Sequence, residues 1–144
     1  MPVIRKLFFL ALAGLSVAAV AADRATIVTP EQVALKPVPG LDGVSAAFIA
    51  GDPAHGAYAL RARIAAGARL PPHTHPDTRT TTVLSGTYWF AEGGTFDETK
   101  LHAYGPGTLI IVPAGVPHFS GARSGDVVVQ ETGTGPTATT PIGK

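Results

Sequence analysis

The sequence predicts an all-β protein, a single small barrel or sandwich. Two observations carry that reading. Runs rich in β-branched and aromatic residues recur at short intervals, each closed by a turn signal such as Gly51-Asp52-Pro53, Pro106-Gly107 or Ser124-Gly125. Beyond the N-terminus, no stretch sustains an apolar helical period of useful length.

In chain order, residues 1–22 are expected to be a cleaved signal peptide. Arg5 and Lys6 precede the apolar run LFFLALAGLSVAAV, and Val20, Ala21 and Ala22 offer a small-residue cleavage site. The alternative, a retained membrane anchor, wants about 20 apolar residues, more than this run supplies. With no cysteine in the chain, a lipid-modified N-terminus and disulfides are both excluded. A periplasmic or secreted location is therefore expected, with no stable membrane anchor. Without Arg5 and Lys6 the formal charge falls from +1 to −1, and no basic patch points to nucleic acid.

The remaining residues are enough for one domain with its own core. Residues 23–43, with Pro30, Pro37, Pro39 and Gly40, read as an N-terminal arm wrapping the outside. The barrel is expected over residues 44–133. VSAAFIAGD is its first strand. In AYALRARIAAG, Tyr58, Leu60, Ala62 and Ile64 fall on one face and Arg61 and Arg63 on the other, a strand period, although the alanines leave a helix open. TRTTTVLSGTYWFAEGG is the strongest strand signal, divided or bent at Ser85-Gly86. A solvated loop through Glu92, Asp97 and Glu98 follows. TLIIVPAG is apolar enough to be expected at the centre of a sheet, and DVVVQETG closes the set. Residues 134–144 lack period and length and read as a surface tail.

The chemistry gathers in PPHTHPDTR. Pro71 and Pro72 favour extended backbone, and residues i and i+2 of a strand share a face, so His73 and His75 point the same way. His118 lies downstream in VPHFSG, beyond the turn residues Pro113 and Gly115. The alternative is that these histidines merely hydrogen-bond in the core; the pair with a third in a turn context favours metal ligands. Neutral imidazoles suit iron, manganese or zinc, and three ligands leave positions open for water or substrate.

At these residues the sequence resembles the cupin superfamily. Gly67, His73, His75 and Gly86 fit the first cupin motif, and Gly107, Pro113, Gly115 and His118 fit the second. Arg79 stands where the first motif has glutamate, and Ala122 where the second has asparagine. The resemblance implies a jelly-roll β-barrel in a single domain, a divalent metal ion, and a small-molecule ligand or substrate. It also implies a homodimer joined through edge strands. Some cupin oxygenases use three histidines without a carboxylate, so the missing glutamate does not abolish catalysis by resemblance.

Arg79 and Phe119 are the candidate substrate-binding residues. Arg79 either holds an anion beside the metal through its planar guanidinium or leaves the cavity to pair with Asp77 or another rim acid. Phe119, beside His118, is expected to line the pocket. His102 is a weaker candidate for a fourth ligand, and His55 reads as an exposed loop residue. No catalytic residue can be named. There is no nucleophile elbow, Walker loop or dinucleotide fingerprint. The sequence thus points to a metal-binding protein of this type, an oxygenase of a small organic substrate or a non-catalytic ligand-binding or structural relative.

Overall fold

The computed structural model describes residues 24–143; the expected signal peptide, residues 1–22, lies outside them. Among these residues the strands are β1 (Lys36–Pro37), β2 (Val44–Gly51), β3 (Ala57–Ile64), β4 (Arg69–Thr74), β5 (Arg79–Ser85) and β6 (Tyr88–Glu92). After them come β7 (His102–Tyr104), β8 (Leu109–Val112), β9 (His118–Gly121), β10 (Val127–Thr134) and β11 (Thr140–Pro141). They form two antiparallel sheets, ordered β1-β2-β3-β10-β5-β8 and β11-β4-β9-β6-β7. This is the all-β jelly roll expected.

β3 shows why the chain chooses strand over helix. It pairs along its length with β2 on one side and β10 on the other. Tyr58, Ala62 and Ile64 are buried, while Arg61 and Arg63 point out to Gln130 and Asp126. Two complete ladders and a buried face outweigh the helix preference of the alanines.

β5 continues a period that begins before it: His73, His75, Asp77, Arg79, Thr81 and Val83 are all buried, every second residue across the β4–β5 connection. One strand period therefore turns the site residues and a core valine to the same interior. At Gly86 the chain leaves the larger sheet for the smaller. Its φ is +77°, and an added methyl would collide with the carbonyl oxygen of Asp126, so glycine is required at this corner.

The core joins Val44, Ile64, Val83, Val127 and Val129 of the larger sheet to Tyr88 and Phe90 of the smaller. Two expectations need correction. β8 is an edge strand, not a central one. Among the described residues only β5 pairs with it, and Leu109 and Ile111, on its outward face, are exposed while Val112 faces inward. The loop after β6 is not simply solvated. Its Phe96 packs at 5.1 Å on Phe119, and Leu101 is buried beside them. The tail lies at the surface but does not fray, being tied down as a strap: β11 pairs with β4, and the Ile142 amide donates to the Pro72 carbonyl at 2.9 Å. The end of the N-terminal arm also turns inward, where Val38 and Leu41 pack against the core.

Candidate metal centre

His73 on β4 lies directly opposite His118 on β9, and His75 follows one residue beyond the end of β4. All three are buried, and one ring nitrogen from each lies within 4.8 Å of the other two. Ring centroids are 4.8 Å apart for His73 and His75, 4.3 Å for His73 and His118, and 5.1 Å for His75 and His118.

Local backbone sets each ring. Pro71 and Pro72 have no N–H to give β9, and the β4–β9 register shifts across them. The Pro71 carbonyl accepts from His73 Nδ1 at 2.7 Å. The turn before β9 closes with the Val116 amide on the Pro113 carbonyl, with Gly115 at φ +76° in the position such turns reserve for glycine. The Val116 carbonyl then accepts from His118 Nδ1 at 2.9 Å. The strap supplies the third acceptor, the Ala138 carbonyl, at 2.7 Å from His75 Nδ1.

A carbonyl only accepts, so each Nδ1 carries its hydrogen and each Nε2 keeps a free lone pair. Three neutral rings oriented by backbone carbonyls are a donor set that fits a divalent transition metal. The cluster could hold such an ion. Its arginine neighbour cannot contribute a ligand atom, so among the described residues the cluster offers three nitrogen ligands and no carboxylate.

Burial keeps the rings neutral. It holds the pKa of His73 down at about 4 and, together with the nearby Arg79 charge, that of His75 at about 3; His118 is lowered by burial as well. In the metal-free protein the unfolded chain therefore takes up protons near the ordinary imidazole value while the folded rings stay neutral. Stability should be full above about pH 6.5 and decline as pH falls from there towards 4. The urea midpoint at pH 4.5 should lie below that at pH 7, with a smaller gap in His75→Gln. A midpoint unmoved by acid would contradict three buried neutral rings.

Arg79 stays inside the barrel. Its Nη1 donates to Glu131 Oε2 at 2.9 Å and its Nη2 to Thr137 Oγ1 at 2.8 Å, while Nε lies 3.9 Å from Asp77 Oδ1. Tyr58 and Thr137 each donate to Asp77 at 2.5 Å. The two sequence readings of this residue are each half met: it faces the interior, and it is paired with acids. The three histidines, Arg79, Thr81 and Glu131 share a cavity of about 470 Å³ whose other walls include Leu60, Leu70, Phe90 and Val112. Residues 38–41 of the arm and Thr139, Pro141 and Gly143 of the strap complete the lining.

Residues 60–130 match the family model described as Cupin domain. The chain belongs to the cupin superfamily. Among solved structures this cupin is similar to the polyketide cyclase RemF from Streptomyces resistomycificus, at 18% identity and TM-score 0.72, covering 84% of this chain and 87% of that one. It is also similar to KdgF from Halomonas sp., at 18% identity and TM-score 0.63, covering 76% and 94%. A third is the DMSP lyase DddQ from Ruegeria pomeroyi, at 22% identity and TM-score 0.60, covering 72% and 55%. At these identities the likeness is one of fold. No curated protein matches the chain.

Of the residues singled out from the sequence, the cupin fold brings together His73, His75, His118 and Arg79. Phe119 is a correction. Neighbours on a strand point to opposite faces, so with His118 inward Phe119 points outward, fully buried between Ala91, Leu101 and Phe96 and away from the cavity. His102 is exposed on β7, and His55 is exposed beside Asp52; neither joins the cluster. Sequence reasoning missed Glu131 and the strap. Removal of residues 136–144 takes away the acceptor of His75 and the Thr137 hydroxyl, and should weaken zinc binding about 10–100-fold in a chain that still folds. Isothermal titration would measure it; unchanged affinity would mean the strap does not orient His75.

Proposed function

We propose that this cupin is a metal-dependent enzyme acting on a small organic molecule, with His73, His75 and His118 as ligands to iron, manganese or zinc. The observation that carries this reading is that the three histidines, their Nε2 atoms left free by the Nδ1 hydrogen bonds, line a largely apolar cavity. A metal that only stiffened the barrel would need no such space, and the cavity's volume is that of a ligand pocket. A divalent ion held there supplies Lewis acidity, and iron supplies dioxygen chemistry as well. The chain's residues do the rest. Leucines, valines and Phe90 exclude water and pack the substrate, and Arg79 fixes the Glu131 carboxylate where it can take a proton.

Oxygenation is one reaction such a site supports, through its all-histidine ligand set. Proton-transfer chemistry without dioxygen is the second, favoured by Glu131 inside the cavity. RemF and DddQ, a cyclase and a lyase by name, belong to the same fold. Elemental analysis of the protein from its native compartment comes first, followed by oxygen uptake of iron-loaded protein with thiols, diketones and phenolics. Oxygen uptake coupled to substrate loss supports the first reaction, and substrate loss under nitrogen the second. Binding without turnover would reduce the protein to a ligand carrier. Failure to retain any metal, with no gain in melting temperature on adding it, would overturn the metal reading.

The same proposal includes export, supported by the composition of residues 1–22 and tested by mass spectrometry of the mature N-terminus. It also includes a homodimer, supported by exposed Leu109 and Ile111 on the edge strand β8 and tested by sedimentation.

A further inference from the structure

We infer that the cavity selects neutral, hydroxyl-bearing apolar molecules over carboxylates of the same size, with Glu131 as the acceptor of the hydroxyl hydrogen. The inference rests on the reading that this cavity is the ligand site. Arg79 is the cationic side chain in the cavity wall apart from the imidazoles, and its charge is already matched. Glu131 takes Nη1, Thr137 takes Nη2, and the buried Nε, which makes no hydrogen bond, has Asp77 as its facing acid at 3.9 Å. An incoming carboxylate would be a third acid on one guanidinium and would meet the Glu131 charge as well. Like charges in a poorly solvated site repel strongly.

Glu131 itself is under-used. Its Oε2 is held by Arg79, but Oε1 has only a long 3.5 Å contact with Thr81 Oγ1. A carboxylate oxygen has room for two strong hydrogen bonds, so Oε1 is an acceptor in want of a donor. An O–H group supplies one without bringing charge. The rest of the lining, with Leu41, Leu60, Leu70 and Val112, suits the apolar body of such a molecule.

The test is calorimetric titration of the full chain at pH 7 with 2-naphthol and 2-naphthoate, which share a ring system and differ in charge. Metal-free protein is used first, because a bound cation attracts carboxylates on its own account. Wild type should bind 2-naphthol at least about tenfold more tightly. In Glu131→Gln the order should reverse, since Arg79 keeps only Asp77 and the amide is a weaker acceptor. In the triple variant Arg79→Met, Glu131→Leu, Asp77→Asn, which removes every charge of the network, the ratio should fall to about one. Equal or tighter binding of 2-naphthoate by wild type, binding of neither probe, or a naphthol preference that survives in either variant would overturn the inference. Elemental analysis of zinc-loaded samples runs alongside. Loss of zinc with the naphthol preference intact would sink the metal reading and leave this one standing.

Discussion

Replacing His118 with alanine is expected to abolish stoichiometric metal binding while leaving a folded barrel. The ring is one of the three proposed ligands and the one that comes from β9, so without it His73 and His75 must hold an ion from one chain segment. Loss of a mere orienting partner weakens metal sites about 10–100-fold, and loss of a ligand should exceed that. The fold has less at stake. The backbone of His118 pairs with β4 and β6, and the ring makes a single hydrogen bond to Val116. A stability cost of about 1–3 kcal/mol follows from the lost bond and the small void. Zinc content after dialysis, read beside circular dichroism, measures both. Full stoichiometry in His118→Ala or in His73→Ala would sink the site.

Arg79→Met is expected to be the most damaging single change to stability. Arg79 and Glu131 expose only 10% and 16% of their side chains, so water screens this pair poorly. Removing the cation leaves a buried Asp77 and a partly buried Glu131 with no positive partner. Breaking such a pair costs about 3–5 kcal/mol, or roughly 10–20 °C of melting temperature in a domain of this size. Removing Glu131 instead leaves Arg79 with Asp77 and Thr137, so the loss is smaller. The double variant Arg79→Met with Glu131→Leu should recover part of the loss, because it leaves one acid stranded in place of two. A melting temperature unmoved by Arg79→Met would show the pair to be ornamental.

The three histidines were legible because their signal is local and doubly anchored: an i, i+2 pair behind two prolines, and a third histidine behind a turn whose positive φ favours glycine. The side of the barrel on which Arg79 sits follows from the same period, but its partner does not. Glu131 left a trace in the sequence, an acid at the inward position of a strand otherwise filled by Val127 and Val129. Such an acid signals a buried partner. Phe119 could also have been excluded on strand period alone, since it adjoins an inward histidine. The strap and the edge position of β8 are of another kind. β11 is two residues held by long-range backbone pairing, and an apolar run looks the same at a sheet's edge as at its centre until the strand order is known.

The facing of His73 and His118 across β4 and β9 has a consequence for how the protein is made. The two residues are about 45 positions apart in the chain. Bringing them together in an unfolded polypeptide costs about 3 kcal/mol in the length-dependent part of loop closure alone. An ion meeting the nascent chain finds at most the local His73–His75 pair. The third ligand arrives only when distant strands have already found one another, which is the slow part of folding for such a topology. A metal at this centre would therefore act as a latch on the finished barrel, not as the seed from which it grows.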